Sequence, residues 1–181
     1  MRKLKNEELN RLSVEAFKDA KKIPLVVVLD NVRSLNNIGS IFRTADAFLI
    51  EAIYLCGITA MPPHRDIQKT ALGATDSVKW KYHKTTLEAL EMLKKEEYTI
   101  LVIEQAEKST LLNEFFPDAD KKYALIFGHE VFGVEDEIIN QADLCIEIPQ
   151  FGTKHSLNIS ISAGIVIWDL FLKITQSIQD R

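Results

Sequence analysis

The sequence has few of the residues that form disulfides and metal centres. It contains two cysteines and four histidines in 181 residues. Cys56 and Cys145 each lie inside an apolar run, which predicts two small buried side chains rather than a disulfide or a thiolate metal site. The histidines lack metal-ligand spacing, so we expect no metal.

Several motifs of cofactor and hydrolase chemistry are also missing. The chain has no GxGxxG dinucleotide motif, no Walker lysine motif and no GxSxG nucleophile elbow. These absences disfavour a dehydrogenase or a nucleotide hydrolase.

Long apolar runs are missing too. Charged residues interrupt the apolar runs before the roughly 20 residues that a membrane-spanning helix needs. The charged N-terminus is not followed by the apolar core of a signal peptide. We therefore expect a cytoplasmic protein without a membrane segment, and the length and composition, 46% hydrophobic and 27% charged, predict a single domain over residues 1–181.

The charge is unevenly distributed along the chain. The net charge of −4 argues, taken alone, against a polyanionic partner. However, residues 1–84 contain 14 Lys and Arg against 9 Asp and Glu, whereas residues 85–181 contain 8 against 17. One half can therefore present a basic face, although unequal solvated faces would give the same counts.

Apolar periodicity predicts the fold class. Continuous apolar runs, typical of strands buried on both faces of a parallel sheet, occur at residues 25–29, 52–56, 99–103, 123–127 and 144–148. Residues 78–82 alternate like an edge strand. Helical spacing is seen at residues 6–22, 38–49, 85–95, 110–115, 135–141 and 157–177. The alternation predicts an α/β fold, with a mainly parallel sheet, helices on both faces and ligands beyond the carboxyl ends of the strands.

The first informative loop, "NNIGSIFRTADAF", follows the first predicted strand. Asn36 or Asn37 suits the N-cap of a helix. Its apolar residues fall on one side of the helix and Arg43 nearly opposite, so the residues alone favour a solvated Arg43 paired with Asp46. Gly39 lies in the first turn, where glycine is unfavourable unless something approaches the backbone.

The second and third loops are rich in small and polar residues. In "FGHEVFGVEDE", Gly128 and Gly133 bracket Glu130 at a strand end, an arrangement that fits either a ligand-binding loop or a plain strand-to-helix turn. In "IPQFGTKHSLNISISAG", serines and an asparagine alternate with apolar residues before a strongly apolar helix. Such residues compete with helical hydrogen bonds, so they either bind a ligand or cap the helix, with Ser156 as the candidate cap.

In this order, the three segments resemble the motifs of the SpoU/TrmH family of S-adenosylmethionine-dependent RNA ribose 2′-O-methyltransferases, in the SPOUT superfamily. The resemblance extends from residue 25 to about residue 172. It implies that an N-terminal helix in residues 1–23 precedes a catalytic core in residues 24–181, whose C-terminal part forms a deep trefoil knot. It also implies a homodimer with active sites at the subunit interface.

The resemblance assigns roles by position. The family's motif residues correspond to Asn37, Arg43, Glu130, Ser156 and Asn158 as catalytic residues. Contacts to S-adenosylmethionine, mainly through backbone groups, correspond to Gly128, Ile148 and Leu157, with Glu104 in a nearby loop. Because a guanidinium stays protonated near neutral pH, our hypothesis is that Arg43 binds the phosphate beside the target nucleotide bidentately. That phosphate, or a desolvated Arg43, then takes the proton of the 2′-hydroxyl.

The resemblance leaves the RNA open between tRNA and rRNA. Candidate contacts are the basic residues of the N-terminal helix and scattered later ones: Arg2, Lys3, Lys5, Arg11, Lys18, Lys21, Lys22, Arg33, Arg65, Lys69 and Lys154. An alternative is a non-catalytic knotted RNA-binding or ribosome-assembly factor, against which the intact motif residues count. Base methylation is disfavoured, because base-modifying relatives have different third motifs.

Overall fold

The computed structural model describes residues 1–179, which contain one sheet of seven parallel strands. The strands are β1 (Ile23–Asp30), β2 (Ile50–Cys56), β3 (Trp80–His83), β4 (Tyr98–Ile103), β5 (Thr110–Leu111), β6 (Lys122–Phe127) and β7 (Leu144–Glu147). Their order is β3-β2-β1-β6-β4-β7-β5, and each neighbouring pair is parallel. The predicted α/β fold with a parallel sheet is confirmed.

Helices cover both faces of this sheet. They are α1 (Val14–Asp19), α2 (Leu35–Ala47), α3 (Arg65–Ala71), α4 (Ala74–Ser77), α5 (Thr86–Lys95), α6 (Asp136–Ile139) and α7 (Ile159–Gln179). Helices α1 to α4 and α7 contribute to the apolar core on one face, and α5 and α6 to the core on the other. Strand β1 shows why the apolar run in its sequence is continuous. Val27 faces the first core, whereas its neighbours Val26 and Val28 face the second, so both faces of the strand are buried.

The predicted helix over residues 6–22 is wrong. A 3-10 turn (Asn6–Leu9) and the short α1 replace it. Leu9 and Leu12 remain exposed and only Phe17 reaches the core, so one continuous helix would gain little burial. Pro24 does not end a helix but lies near the start of β1, where strands tolerate proline.

The predicted helix over residues 110–115 is also wrong. Thr110 and Leu111 pair with β7, and a 3-10 turn (Leu112–Glu114) follows. A strand of two residues carries too little pattern to be read from sequence, and its pairing partner decides its conformation. Helices α3 and α4 were not predicted.

Helix α7 is the one described helix that is long and apolar enough to cross a membrane, judged by length and composition alone. Within its 21 residues, the charged pair Asp169 and Lys173 forms an ion pair of 2.7 Å. A stripe at helical spacing that includes Ala163, Ile167 and Leu170 is buried in the core of the domain. Such a stripe is typical of a core helix packed against a sheet.

Candidate active site

The carboxyl ends of the central strands border a cavity of about 750 Å³. Its walls come from the loops that follow β4, β6 and β7 and from the start of α7. Seven sequence-predicted residues line it: Glu104, Gly128, Glu130, Ile148, Ser156, Leu157 and Asn158. The parallel sheet therefore brings together segments that are far apart in the chain, at the edge where ligands bind in such folds.

Glu130 connects the second loop to the start of α2. Its carboxylate accepts hydrogen bonds from the backbone N–H groups of Arg33 at 3.1 Å and Ser34 at 2.8 Å, and from Asn37 Nδ2 at 3.4 Å. Partial burial raises the pKa of Glu130, but these hydrogen bonds outweigh it and hold the pKa below its ordinary value. The carboxylate therefore stays ionised, and its negative charge interacts favourably with the positive end of the α2 helix dipole.

Asn37 continues this chain of polar groups to the third loop. Its Oδ1 accepts a hydrogen bond of 3.1 Å from Asn158 Nδ2. Asn158 in turn caps α7, because its Oδ1 accepts from the N–H of Ser160 at 2.9 Å and from its hydroxyl at 2.6 Å. These bonds fix both amide orientations and give a connected row of a carboxylate and two amides.

The caps of α2 and α7 differ from the predicted ones. Helix α2 begins at Leu35, and its cap is Ser34, whose hydroxyl accepts from the N–H of Asn37 at 3.3 Å. Asn158 rather than Ser156 caps α7. Ser156 is exposed in the cavity wall, and its hydroxyl has no hydrogen-bond partner among residues 1–179. The side chain of Asn37 is thus released from capping to join Glu130 and Asn158.

The glycines of the second loop serve the folding of that loop. A Cβ on Gly128 would lie 2.2 Å from the carbonyl carbon of Gly133, and Gly133 itself has φ +69°. Glu104 closes the same turn, since its Oε2 accepts from the N–H of Val134 at 3.2 Å. The close approach that the glycines permit is therefore an approach of the chain to itself.

The third loop is exposed from Phe151 to Asn158 but is tied across the cavity. Gln105, which follows Glu104, donates from Nε2 to the carbonyl of His155 at 2.7 Å. This contact joins the loop after β4 to the segment that carries Ser156. The sequence analysis missed Gln105, because its partner is a backbone carbonyl 50 residues away.

Arg43 lies apart from the cavity. It is exposed in a shallow groove of about 450 Å³ that also contains Ser40 and Lys69. The alternative of an Arg43–Asp46 pair is wrong: Asp46 accepts a hydrogen bond from the Ser77 hydroxyl, and Arg43 has no ion pair within the described residues. Six residues of helix place Arg43 about 9 Å along the axis from Asn37.

Gly39 is explained by packing between two helices. A Cβ at this position would lie 2.2 Å from both the carbonyl oxygen of Ile67 and the hydroxyl of Thr70. The backbones of α2 and α3 can therefore approach closely only because residue 39 has no side chain. The expected close approach exists, and α3 makes it.

Asp30 is a buried carboxylate that the sequence analysis missed. It ends β1, is 1% exposed, and accepts hydrogen bonds from the Thr86 hydroxyl and from Asn31 Nδ2. Burial raises its pKa above the ordinary value. On the same sheet edge Cys56 is free and buried, as predicted, and burial raises the pKa of its thiol to about 12. Cys145 is free but only half-buried.

Together, the parallel sheet, the cavity at its carboxyl edge and the row of one carboxylate and two amides define an α/β protein that binds a ligand at the carboxyl ends of its strands. The chain belongs to the SpoU rRNA Methylase family, whose model matches residues 24–168. The resemblance seen in the three motifs is thereby confirmed, and the chain is a methyltransferase.

Relatives with known names support this membership. The chain is 29% identical over 162 residues to the tRNA (guanosine(18)-2′-O)-methyltransferase of Thermus thermophilus, covering 90% of this chain and 81% of that protein. It is 28% identical to the 23S rRNA (guanosine-2′-O-)-methyltransferase RlmB of Neisseria meningitidis, covering 84% of this chain and 60% of that longer protein.

Solved structures agree with the sequence relatives. The TrmH/SpoU tRNA modifying enzyme of A. aeolicus superposes with a TM-score of 0.78 at 26% identity, covering 91% of this chain and 81% of that one. The AdoMet-bound rRNA methyltransferase of Sinorhizobium meliloti superposes with a TM-score of 0.76 at 25% identity, covering 85% and 59%.

Proposed function

We propose that this protein transfers the methyl group of S-adenosylmethionine to a ribose 2′-hydroxyl of tRNA or rRNA. The observation that carries the proposal is the row Glu130–Asn37–Asn158 beside the cavity, because it joins all three family motifs in one hydrogen-bonded unit. Family membership and the named activities of the relatives support the same reaction.

S-adenosylmethionine is the methyl donor, and the cavity has the size and lining for it. About 750 Å³ lies within the usual range for ligand pockets. Apolar walls from Ile148 and Leu157 suit a nucleoside, while Glu104 offers a carboxylate. We propose that backbone groups at Gly128, Ile148 and Leu157 hold it. When bound, it supplies an electrophilic sulfonium methyl group.

The chain's own residues must orient and deprotonate the hydroxyl. The Glu130 carboxylate and the fixed amides of Asn37 and Asn158 position the ribose. The Ser156 hydroxyl, which has no partner among residues 1–179, offers a further hydrogen bond. Such positioning lowers the barrier of an in-line displacement by aligning the reacting atoms beforehand. Arg43 binds the adjacent phosphate with its planar fork. The proton of the 2′-hydroxyl then goes to that phosphate, or to Arg43 if desolvation has left its guanidine group neutral.

We further propose that the active protein is a homodimer. Arg43 does not line the cavity of its own chain, so a second copy is needed to bring the Arg43 guanidinium to the row. Helix α7 offers a surface for this contact, because Ile161, Ile165 and Trp168 form an exposed apolar stripe beside the buried one. The trefoil knot, the single domain over residues 1–181 and a cytoplasmic location remain proposals from family membership and composition.

The test combines cofactor binding with methyl transfer. We expect calorimetry to show S-adenosylmethionine binding, and radiolabelled methyl groups to enter tRNA or rRNA from cells that lack the gene. Arg43→Lys keeps the charge but loses the fork, so we expect normal cofactor binding and a loss of turnover of about tenfold or more. Near-normal turnover of this variant would refute the bidentate role.

The alternative is a non-catalytic RNA-binding or ribosome-assembly factor. It predicts no cofactor binding even at millimolar concentration and no ribose methylation that depends on the gene. Mapping 2′-O-methylation in total RNA with and without the gene distinguishes the two functions and identifies the target nucleotide.

A further inference from the structure

One aromatic side chain in the cavity wall is exposed without an evident structural reason. Phe132 lines the cavity and is 82% exposed. Burying a phenylalanine side chain typically stabilises a protein, so a ring left in solvent forgoes that gain. Its neighbour is the imidazole of His129, with 4.9 Å between the ring centroids and 34° between the planes. The ring therefore has a neighbour on one side and open space on the other.

The loop that carries Phe132 is fixed by its own backbone. The N–H of His129 donates to the carbonyl of Gly133 at 3.0 Å, and the N–H of Gly133 donates back at 2.8 Å. His129 Nδ1 also accepts from the N–H groups of Val131 at 3.0 Å and Phe132 at 3.4 Å. The turn that carries the ring is thus already ordered, so less conformational entropy is lost when a ligand binds to the ring.

The position of Phe132 relates it to the row of polar groups. Consecutive Cα atoms are about 3.8 Å apart, so the Cα of Phe132 lies within about 7.6 Å of that of Glu130. A nucleobase is attached directly to the ribose whose hydroxyl reacts. When Glu130 holds that ribose, the base must lie within a few ångströms of it, and Phe132 is an exposed aromatic side chain of the same cavity wall within that reach.

We propose that Phe132, backed by His129, stacks on the base of the target nucleotide after that base has left its neighbours in the RNA. This inference rests on the proposed function, since it takes the ribose to lie at Glu130. Proteins commonly hold single-stranded bases on aromatic rings in this way. Every base has a π-face, so this contact strengthens binding without selecting one base.

The test uses two substitutions and a matched control. Phe132→Leu keeps an apolar side chain but removes the ring, and Phe132→Trp keeps a ring. Phe116→Leu makes the same change at a phenylalanine that is 76% exposed beside Lys173 and is not part of the cavity wall. The probe is a single-stranded oligoribonucleotide that contains 2-aminopurine, whose fluorescence is quenched by stacking.

We expect Phe132→Leu to weaken oligonucleotide binding by about 5- to 150-fold, the equivalent of about 1–3 kcal/mol for loss of one stacked base, and to reduce the quenching in the bound state. Phe132→Trp and Phe116→Leu should bind like the unchanged protein. Affinity for S-adenosylmethionine by calorimetry and mass by light scattering should be the same in all four proteins.

Three results would overturn the inference. The first is unchanged oligonucleotide binding by Phe132→Leu, or no binding by the unchanged protein. The second is weaker S-adenosylmethionine binding by that variant, which would place the ring against the cofactor. The third is loss of dimer mass, which would place it in a subunit contact. If the oligonucleotide results hold while the unchanged protein methylates no RNA, the proposed function fails and the stacking site stands.

Discussion

The replacement Glu130→Gln tests how the second loop is joined to α2. The carboxylate accepts two backbone N–H groups and one side-chain amide, and glutamine keeps the shape of the side chain while removing its charge. Its amide nitrogen would also face an N–H group where an oxygen now accepts. We therefore expect a loss of stability together with a loss of methyl transfer.

The size of this loss follows from the position of Glu130 at a helix N-terminus. Removing a capping oxygen costs about 0.5–2 kcal/mol, and a charge near a helix end contributes about 0.3–1 kcal/mol. Because Glu130 is solvent-exposed, screening favours the lower part of these ranges. We expect Glu130→Gln to lower the free energy of unfolding by about 1 kcal/mol at pH 7, or the melting temperature by about 2–4 °C.

The pH dependence gives the sharper result. The folded state lowers the pKa of Glu130, so the stability gained from its charge is present above the unfolded-state pKa and is lost as pH falls through the folded-state value. The difference between the unchanged protein and Glu130→Gln should therefore shrink in acid. Glu91→Gln, exposed in the middle of α5, is the control and should change little at any pH.

The assay is urea unfolding followed by circular dichroism at a series of pH values from 7 downwards. A stability difference for Glu130→Gln that stays constant across the series would show that the charge is not what holds the loop. Equal stability at pH 7 would contradict the hydrogen bonding described above.

Three further predictions concern packing, capping and buried charge. Gly39→Ala should lower the free energy of unfolding by about 1–3 kcal/mol in thermal melts, since its Cβ would clash with α3. Gly152→Ala, whose Cβ meets open space in the third loop, should change it by less than about 1 kcal/mol; equal effects would contradict the packing role. Asn158→Asp should keep the cap of α7 and therefore the melting temperature of the protein. Methyl transfer should fall by about tenfold or more, because aspartate cannot donate a hydrogen bond to Asn37, and unchanged turnover would show that Asn158 has no catalytic part in the row. The raised pKa of Asp30 makes the unchanged protein lose stability as pH rises from the unfolded-state to the folded-state value, and Asp30→Asn should abolish that loss; a parallel pH profile of the two proteins would refute it.

Much of the fold could be predicted from sequence because burial on both faces of a sheet requires continuous apolar runs. Strands such as β1 and β6 were found within two residues of their bounds for this reason. Where burial is slight the prediction failed. Residues 6–22 offer only Phe17 to the core, and β5 takes its conformation from pairing with β7.

The motifs also identified the candidate site residues, but the roles of those residues stay predictions. Glu130 was noted because it lies at a strand end, and Asn158 because it lies before an apolar helix, where polar side chains often bind a ligand or cap the helix. Their mutual contact through Asn37 spans 93 residues on one side and 121 on the other, and no local pattern predicts such a contact. Phe132 could have been noted as an aromatic residue in a glycine-bounded loop. Only its exposure in the cavity wall, however, indicates a binding role.

The sequence by itself determined the alternation of strands and helices, the family and the candidate residues, because these depend on local pattern and on motif order. Only the tertiary structure decided that α3 explains Gly39, that Asn158 rather than Ser156 caps α7, and that Arg43 lies outside the cavity of its own chain. The physical reason is common to all three. Each depends on which distant segment comes within contact distance, and chain packing sets that distance.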